Sequence, residues 1–136
     1  MDDKAPIIYG LEFPGRALAA RVAETERIQF FCGTQSLKHD NQVHLIEYDE
    51  ELAGIDSKTV YQHLCGEIWH LSCSPTDVNI LATCYSHVVD NQVVMGASLW
   101  KLPPEDIESQ LNASNVAMEK ICDLPHEKEQ TIKWLA

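Results

Sequence analysis

Six histidines and five cysteines are the side chains of this sequence best suited to hold a metal or attack a carbonyl. The histidines are His39, His44, His63, His70, His87 and His126, and none belongs to an H-E-x-x-H pattern. The cysteines are Cys32, Cys65, Cys73, Cys84 and Cys122, and no two stand at C-x-x-C spacing. A zinc site needs several converging ligands, so these patterns predict no metal residue. Cys65 and His63 come nearest to a thiolate–imidazole pair, and a small cysteine hydrolase would use them. No orienting group or oxyanion hole accompanies them, so structural roles are favoured. No glycine-rich loop fits a phosphate. The expectation is a chain with no catalytic, cofactor-binding or metal residue and no cofactor.

Other side chains carry weaker signals. Trp69 reads either as a partner hot spot or as an interior residue between packed sheets, and the interior reading is preferred. Asp49-Glu50-Glu51 reads as a solvated loop. Asn112-Ala113-Ser114 matches a glycosylation acceptor, which a cytosolic chain does not use. Cys32, Cys73 and Cys84 fall in apolar runs, where a free thiol behaves as a small hydrophobe. The odd number of cysteines fits reduced thiols in a reducing compartment. No partner-binding residue is assigned.

These residues are carried by 136 residues, of which 45% are hydrophobic, enough for a core and too many for a disordered chain. The net charge of −11 argues against nucleic acid or an anionic membrane surface as the main partner. It suits solubility and a basic protein partner. No apolar run is long enough to cross a bilayer. The acidic start lacks the apolar region of a secretory signal and the arginines of a transit peptide, so a cytoplasmic location is expected.

Short strands separated by turn signals predict an all-β fold. They are expected at residues 7–13, 28–32, 43–48 and 59–64, then 68–73, 80–85, 93–102 and 120–124. Pro14-Gly15 closes the first, and the Ala-rich residues 16–26 read as a surface loop. The polar stretch 104–119 has room for one short helix. Residues 131–136 begin a further strand. No strong amphipathic helix intervenes between strands, which argues against a βαβ sheet.

The strands repeat. Gly66–Asp77, reading GEIWHLSCSPTD, has weaker copies near Leu11 and Ile132, about 60 residues apart. The register pairs Leu11, Leu71 and Ile132, then Phe13, Cys73 and Trp134, and also Tyr9 with Trp69. Asp40-Asn41-Gln42-Val43 recurs as Asp90-Asn91-Gln92-Val93. The strands are apolar on both faces, as expected of sheets covered by like sheets. Ser74-Pro75-Thr76-Asp77 and Leu99-Trp100-Lys101-Leu102 stand where WD repeats have their turn and their Trp-Asp. The predicted fold is a partial WD-repeat β-propeller of about two four-stranded antiparallel blades plus the first strand of a third. Blade one covers about 7–64, blade two about 67–124, and blade three begins at 131–136. Two blades leave faces and edges open, so the chain alone is expected to associate or order incompletely.

IIYGLEF, GTQSLKHDNQVHLIEYD, GEIWHLSCSP and ATCY together resemble the N-terminal blades of the EARP and GARP complex-interacting protein family. The resemblance covers nearly the whole chain and is weaker at 14–27 and 103–130. It implies a propeller of about seven blades, of which this chain is the N-terminal part. It also implies a non-enzymatic adaptor that binds tethering complexes at endosomes and the trans-Golgi network. Endosomal recycling, retrograde transport and dense-core vesicle sorting follow from the same resemblance, with membrane association only through partners. The alternative within the binding class is a substrate receptor of a ubiquitin ligase. Lys101 replaces the Asp that follows the Trp of a generic WD repeat, Tyr48 stands near that place in unit one, and Gly66-Glu67 replaces Gly-His. The hydrogen-bond network of generic WD repeats is therefore not expected.

Overall fold

The computed structural model describes residues 6–11, 13–37, 40–104 and 116–124. Its strands are β1 (Gly15–Ala20), β2 (Ile28–Thr34), β3 (Asn41–Asp49), β4 (Gly54–His63), β5 (Glu67–Cys73), β6 (Ile80–Val89), β7 (Gln92–Lys101) and β8 (Glu119–Asp123). They make two four-stranded antiparallel meanders, ordered β1-β2-β3-β4 and β5-β6-β7-β8. Among the described residues no helix is long and apolar enough to cross a membrane.

The turns follow from local chemistry. Asp90 and Asn91 join β6 to β7 with φ of 51° and 62°. Asp and Asn tolerate this left-handed region, and a two-residue turn of that kind matches the twist of the strands it joins. Asp49 Oδ1 accepts from the amides of Glu51 and Leu52, so the first acidic residue of the Asp-Glu-Glu run builds the β3–β4 turn. Ser74 Oγ accepts from the amides of Thr76 and Asp77 after β5. Gly66 adopts φ of 137°, and a Cβ there would collide with the Ser86 carbonyl.

The sheets stack face to face. Phe31, Val43, Leu45 and Tyr61 of the first meet Ile68, Leu71, Leu81, Trp100 and Leu102 of the second. The backbones come close where β5 lies against β1 and β2. Gly33 permits this approach, because a Cβ there would sit 2.6 Å from Ile68 Cγ2. Arg21, just past β1, is buried in the seam. Its Nε donates to the Val78 carbonyl at 2.8 Å, and its terminal nitrogens donate to Gln29 Oε1 at 2.9 Å and Asn79 Oδ1 at 3.1 Å. Gln29 passes its own amide hydrogen to Glu47 at 2.9 Å. One buried cation thus ties β1, β2 and the β5–β6 loop together.

The structure moves the first strand. Residues 7–11 and 13 lie outside any strand, and the Ala-rich stretch supplies β1 instead. Packing explains the exchange. Ala17 and Ala19 face the core, where small side chains let β5 approach closely. Ile7 and Tyr9 lie across the other face of the sheet, and the Tyr9 hydroxyl meets His44 Nδ1 at 2.8 Å. The register changes accordingly. Leu18 pairs with Cys32 as Leu71 pairs with Thr83, so Leu18, not Leu11, is the counterpart of Leu71. Phe30 pairs with Ile46 as Leu81 pairs with Trp100, so Ile46 rather than Tyr48 occupies the tryptophan position of the first sheet.

The repeated tetrapeptide sits in the same hairpin of both sheets but in different geometry. Asp90-Asn91 is the turn itself, whereas Asn41 is buried inside β3. Its side chain accepts from Thr34 Oγ1 at 2.8 Å and donates to the Ser36 carbonyl at 3.0 Å, holding the longer loop. Strand β4 begins at Gly54, earlier than expected. Val116 forms a parallel bridge to Tyr61: its amide donates to the Val60 carbonyl at 3.0 Å, and its carbonyl accepts from Gln62 at 2.8 Å. The expected short helix falls largely in 105–115, outside the described residues, as does the start of a third blade at 131–136.

Candidate interaction site at the inner strands

His63 ends β4 and is fully buried. Its Nδ1 lies 3.2 Å from the Gly66 carbonyl, and its Nε2 lies 2.9 Å from Thr83 Oγ1. A carbonyl only accepts, so Nδ1 carries the proton and Nε2 accepts from the threonine hydroxyl. Thr83 Oγ1 in turn accepts from Trp100 Nε1 at 2.9 Å. The result is a buried chain, Trp100 to Thr83 to His63 to Gly66. It joins the last strand of the first sheet to two strands of the second. None of these bonds uses Lys101, the residue after Trp100. In the first sheet Cys32 and Ile46 take the places of Thr83 and Trp100, so no such chain forms there.

This geometry removes the base from the Cys65–His63 pair. Both ring nitrogens of His63 are engaged, and burial pushes its pKa down to about 4. Burial also raises the Cys65 thiol, away from the thiolate a nucleophile needs. His44 bonds Tyr9 and Gln42, and burial with the nearby Lys58 lowers it to about 4. His70 contacts Ser72 Oγ at 3.3 Å, and His87 has one buried ring nitrogen without a hydrogen-bond partner. Burial raises Cys32, Cys84 and Cys73, the last to about 11. Cys122 is exposed. Among the described residues no three His, Cys, Asp or Glu side chains gather as a metal site. His39, His126 and Asn112-Ala113-Ser114 lie outside the described residues.

Trp69 is not interior. It is 40% exposed, with its indole nitrogen donating to Ser86 Oγ at 2.8 Å. The Arg16 guanidinium of β1 sits over the ring, 4.9 Å from its centroid. The register shifts between Ile68 and His70 and turns Trp69 out of the sheet. Arg16 and Arg21 were missed in an apparent loop. Their signal was two arginines flanking the pairs Ala17-Leu18 and Ala19-Ala20, an alternating stretch too poor in β-branched residues to read as a strand. A second feature lies on the outer face of the first sheet. It is an apolar groove of about 440 Å³ lined by Ile7, Tyr9, Leu18, Phe30, Ile46 and Tyr48 among others.

Two four-stranded meanders stacked by apolar faces, converging at their first strands, define a pair of blades of a WD-repeat β-propeller. The family model described as the EIPR1 beta-propeller matches residues 3–134. The chain belongs to that family. It is 45% identical to EARP and GARP complex-interacting protein 1 of Macaca fascicularis, over 98% of this chain and 37% of that protein. It is 47% identical to the Homo sapiens protein of the same name, over 91% of this chain and 33% of that protein. With the EARP-interacting protein homolog of Gekko japonicus the identity is 53%, over 77% of this chain and 27% of that protein. The chain thus spans about a third of the length of the curated relatives it matches. No solved structure matches it.

Proposed function

We propose that the chain is part of a non-enzymatic WD-repeat adaptor that binds EARP and GARP tethering complexes. The observation that carries this reading is family membership, with relatives named for interaction with those complexes. The geometry is consistent with it: the one pair of residues suited to nucleophilic catalysis is a packing pair, and the exposed Trp69 and Arg16 are contact-type side chains. On this reading the two sheets are consecutive blades of one propeller, working in the cytoplasm and recruited to endosomes and the trans-Golgi network through protein partners. Endosomal recycling, retrograde transport and dense-core vesicle sorting are the processes it serves. Affinity isolation from the organism's own cells under gentle conditions is expected to recover tethering-complex subunits. Their consistent absence refutes the adaptor reading.

A further inference from the structure

Arg16 and Trp69 hold corresponding places in the two sheets. Each is the extra residue of a register shift: Arg16 between Gly15 and Ala17 of β1, Trp69 between Ile68 and His70 of β5. A bulge of this kind re-aims a side chain out of the sheet and recurs beside functional sites. The two shifts bring a cation and an indole together on adjacent first strands.

Three contacts hold this pair in place before any partner arrives. Ile68, next to Trp69, is fully buried and seated against Gly33 of the first sheet. Ser86 Oγ fixes the indole nitrogen. Arg16 covers the ring. An exposed aromatic that is already ordered loses little conformational entropy on binding, which is the property of interface anchors.

Charge names the kind of partner. The chain carries −11, yet this exposed position presents a guanidinium, and among the described residues Arg16 makes no ion pair. A guanidinium over an indole still has its in-plane N–H groups to donate, and these match a carboxylate. We propose that Arg16 and Trp69 form a contact site for the tethering-complex partner. The site takes a segment that presents a carboxylate next to an apolar side chain. This rests on the adaptor reading and adds where and by what chemistry the contact is made.

The test uses the full chain, purified EARP complex as the probe, and binding measured for wild type, Trp69→Ala, Arg16→Glu, Arg16→Lys and Leu52→Ser. Losing an interface anchor of this type weakens binding by about 30-fold or more. Trp69→Ala and Arg16→Glu are expected to show that loss. Arg16→Lys, which keeps charge but not the planar fork, falls between them and wild type. Leu52, on the β3–β4 turn, is a remote exposed control expected to bind as wild type. Arg16 is exposed, so its substitutions leave the core intact and stand as the test even if Trp69→Ala perturbs β5. If wild type binds and the Arg16 variants bind within twofold of it, the site is refuted while the adaptor reading stands. If wild type does not bind the complex, both fall.

Discussion

Replacing Thr83 by Val deletes one oxygen from the buried chain and leaves the side-chain volume almost unchanged. That oxygen has two duties: it accepts from Trp100 Nε1 and donates to His63 Nε2, each at 2.9 Å. Thr83 and His63 are fully buried and Trp100 nearly so, so water cannot substitute. Each polar group stranded in such a place costs about 1–3 kcal/mol. Two stranded groups, less about 1 kcal/mol for the methyl that replaces the hydroxyl, give a destabilisation of about 1–5 kcal/mol. Hydrogen exchange read on peptides from β6 and β7 measures this locally, whatever the association state of the chain. Protection that reflects opening of this region is expected to fall by about fivefold to several thousand-fold. Trp100→Phe on the Thr83→Val background should then cost less than Trp100→Phe alone, because its donor has already lost its acceptor. Exchange within about twofold of wild type in Thr83→Val would refute a working hydrogen-bond chain.

Acid should loosen the same region. His63 and His44 titrate near 6.5 when unfolded and near 4 in the fold, so the unfolded chain binds more protons between those values. Stability that is complete above about pH 6.5 is lost as pH falls toward 4, and a denaturation series showing none of this loss contradicts the assignment. Gly33→Ala is expected to push Ile68 and the second sheet outward at a cost of about 1–3 kcal/mol, read as faster exchange in β2 and β5. Arg21→Met, which leaves Val78, Gln29 and Asn79 short of a donor, should cost about 2–4 kcal/mol by the same measurement. Residues 1–136 alone, with the outer groove of the first sheet open, should sediment as concentration-dependent oligomers. A monomer with one sharp unfolding transition refutes that.

The repeat and the all-β architecture were legible because strands β2, β3, β5, β6 and β7 advertise themselves by apolar runs and by the Ser-Pro-Thr-Asp and Asp-Asn turns. Strand β1 was not, since its identity comes from the partner it faces. Ala17 and Ala19 have weak intrinsic strand preference and are chosen by the space left beneath β5. Ile7 and Tyr9 show the converse, an apolar stretch used as a cover and not as a strand. The buried chain was hidden for a different reason. His63, Thr83 and Trp100 are far apart in sequence and meet only through two registers and a stacking, none of which spacing along the chain reports. Trp69 sits at a register shift, one extra residue in β5, that no pattern along the sequence reveals.

The bridge at Val116 has a consequence for the order in which the chain is made. Among the described residues strand β4 is the outer edge of the first sheet, and its Val60 carbonyl and Gln62 amide are paired by Val116. At translation rates of about 5–20 residues per second, that partner emerges from the ribosome several seconds after β4 itself. Through that interval the first blade carries an adhesive border open to any nascent neighbour. The second blade closes it by passing its own chain back across the older one. The fastening is thus a stitch run backwards: the first blade is sealed by its successor, and its maturation lags its synthesis by one blade.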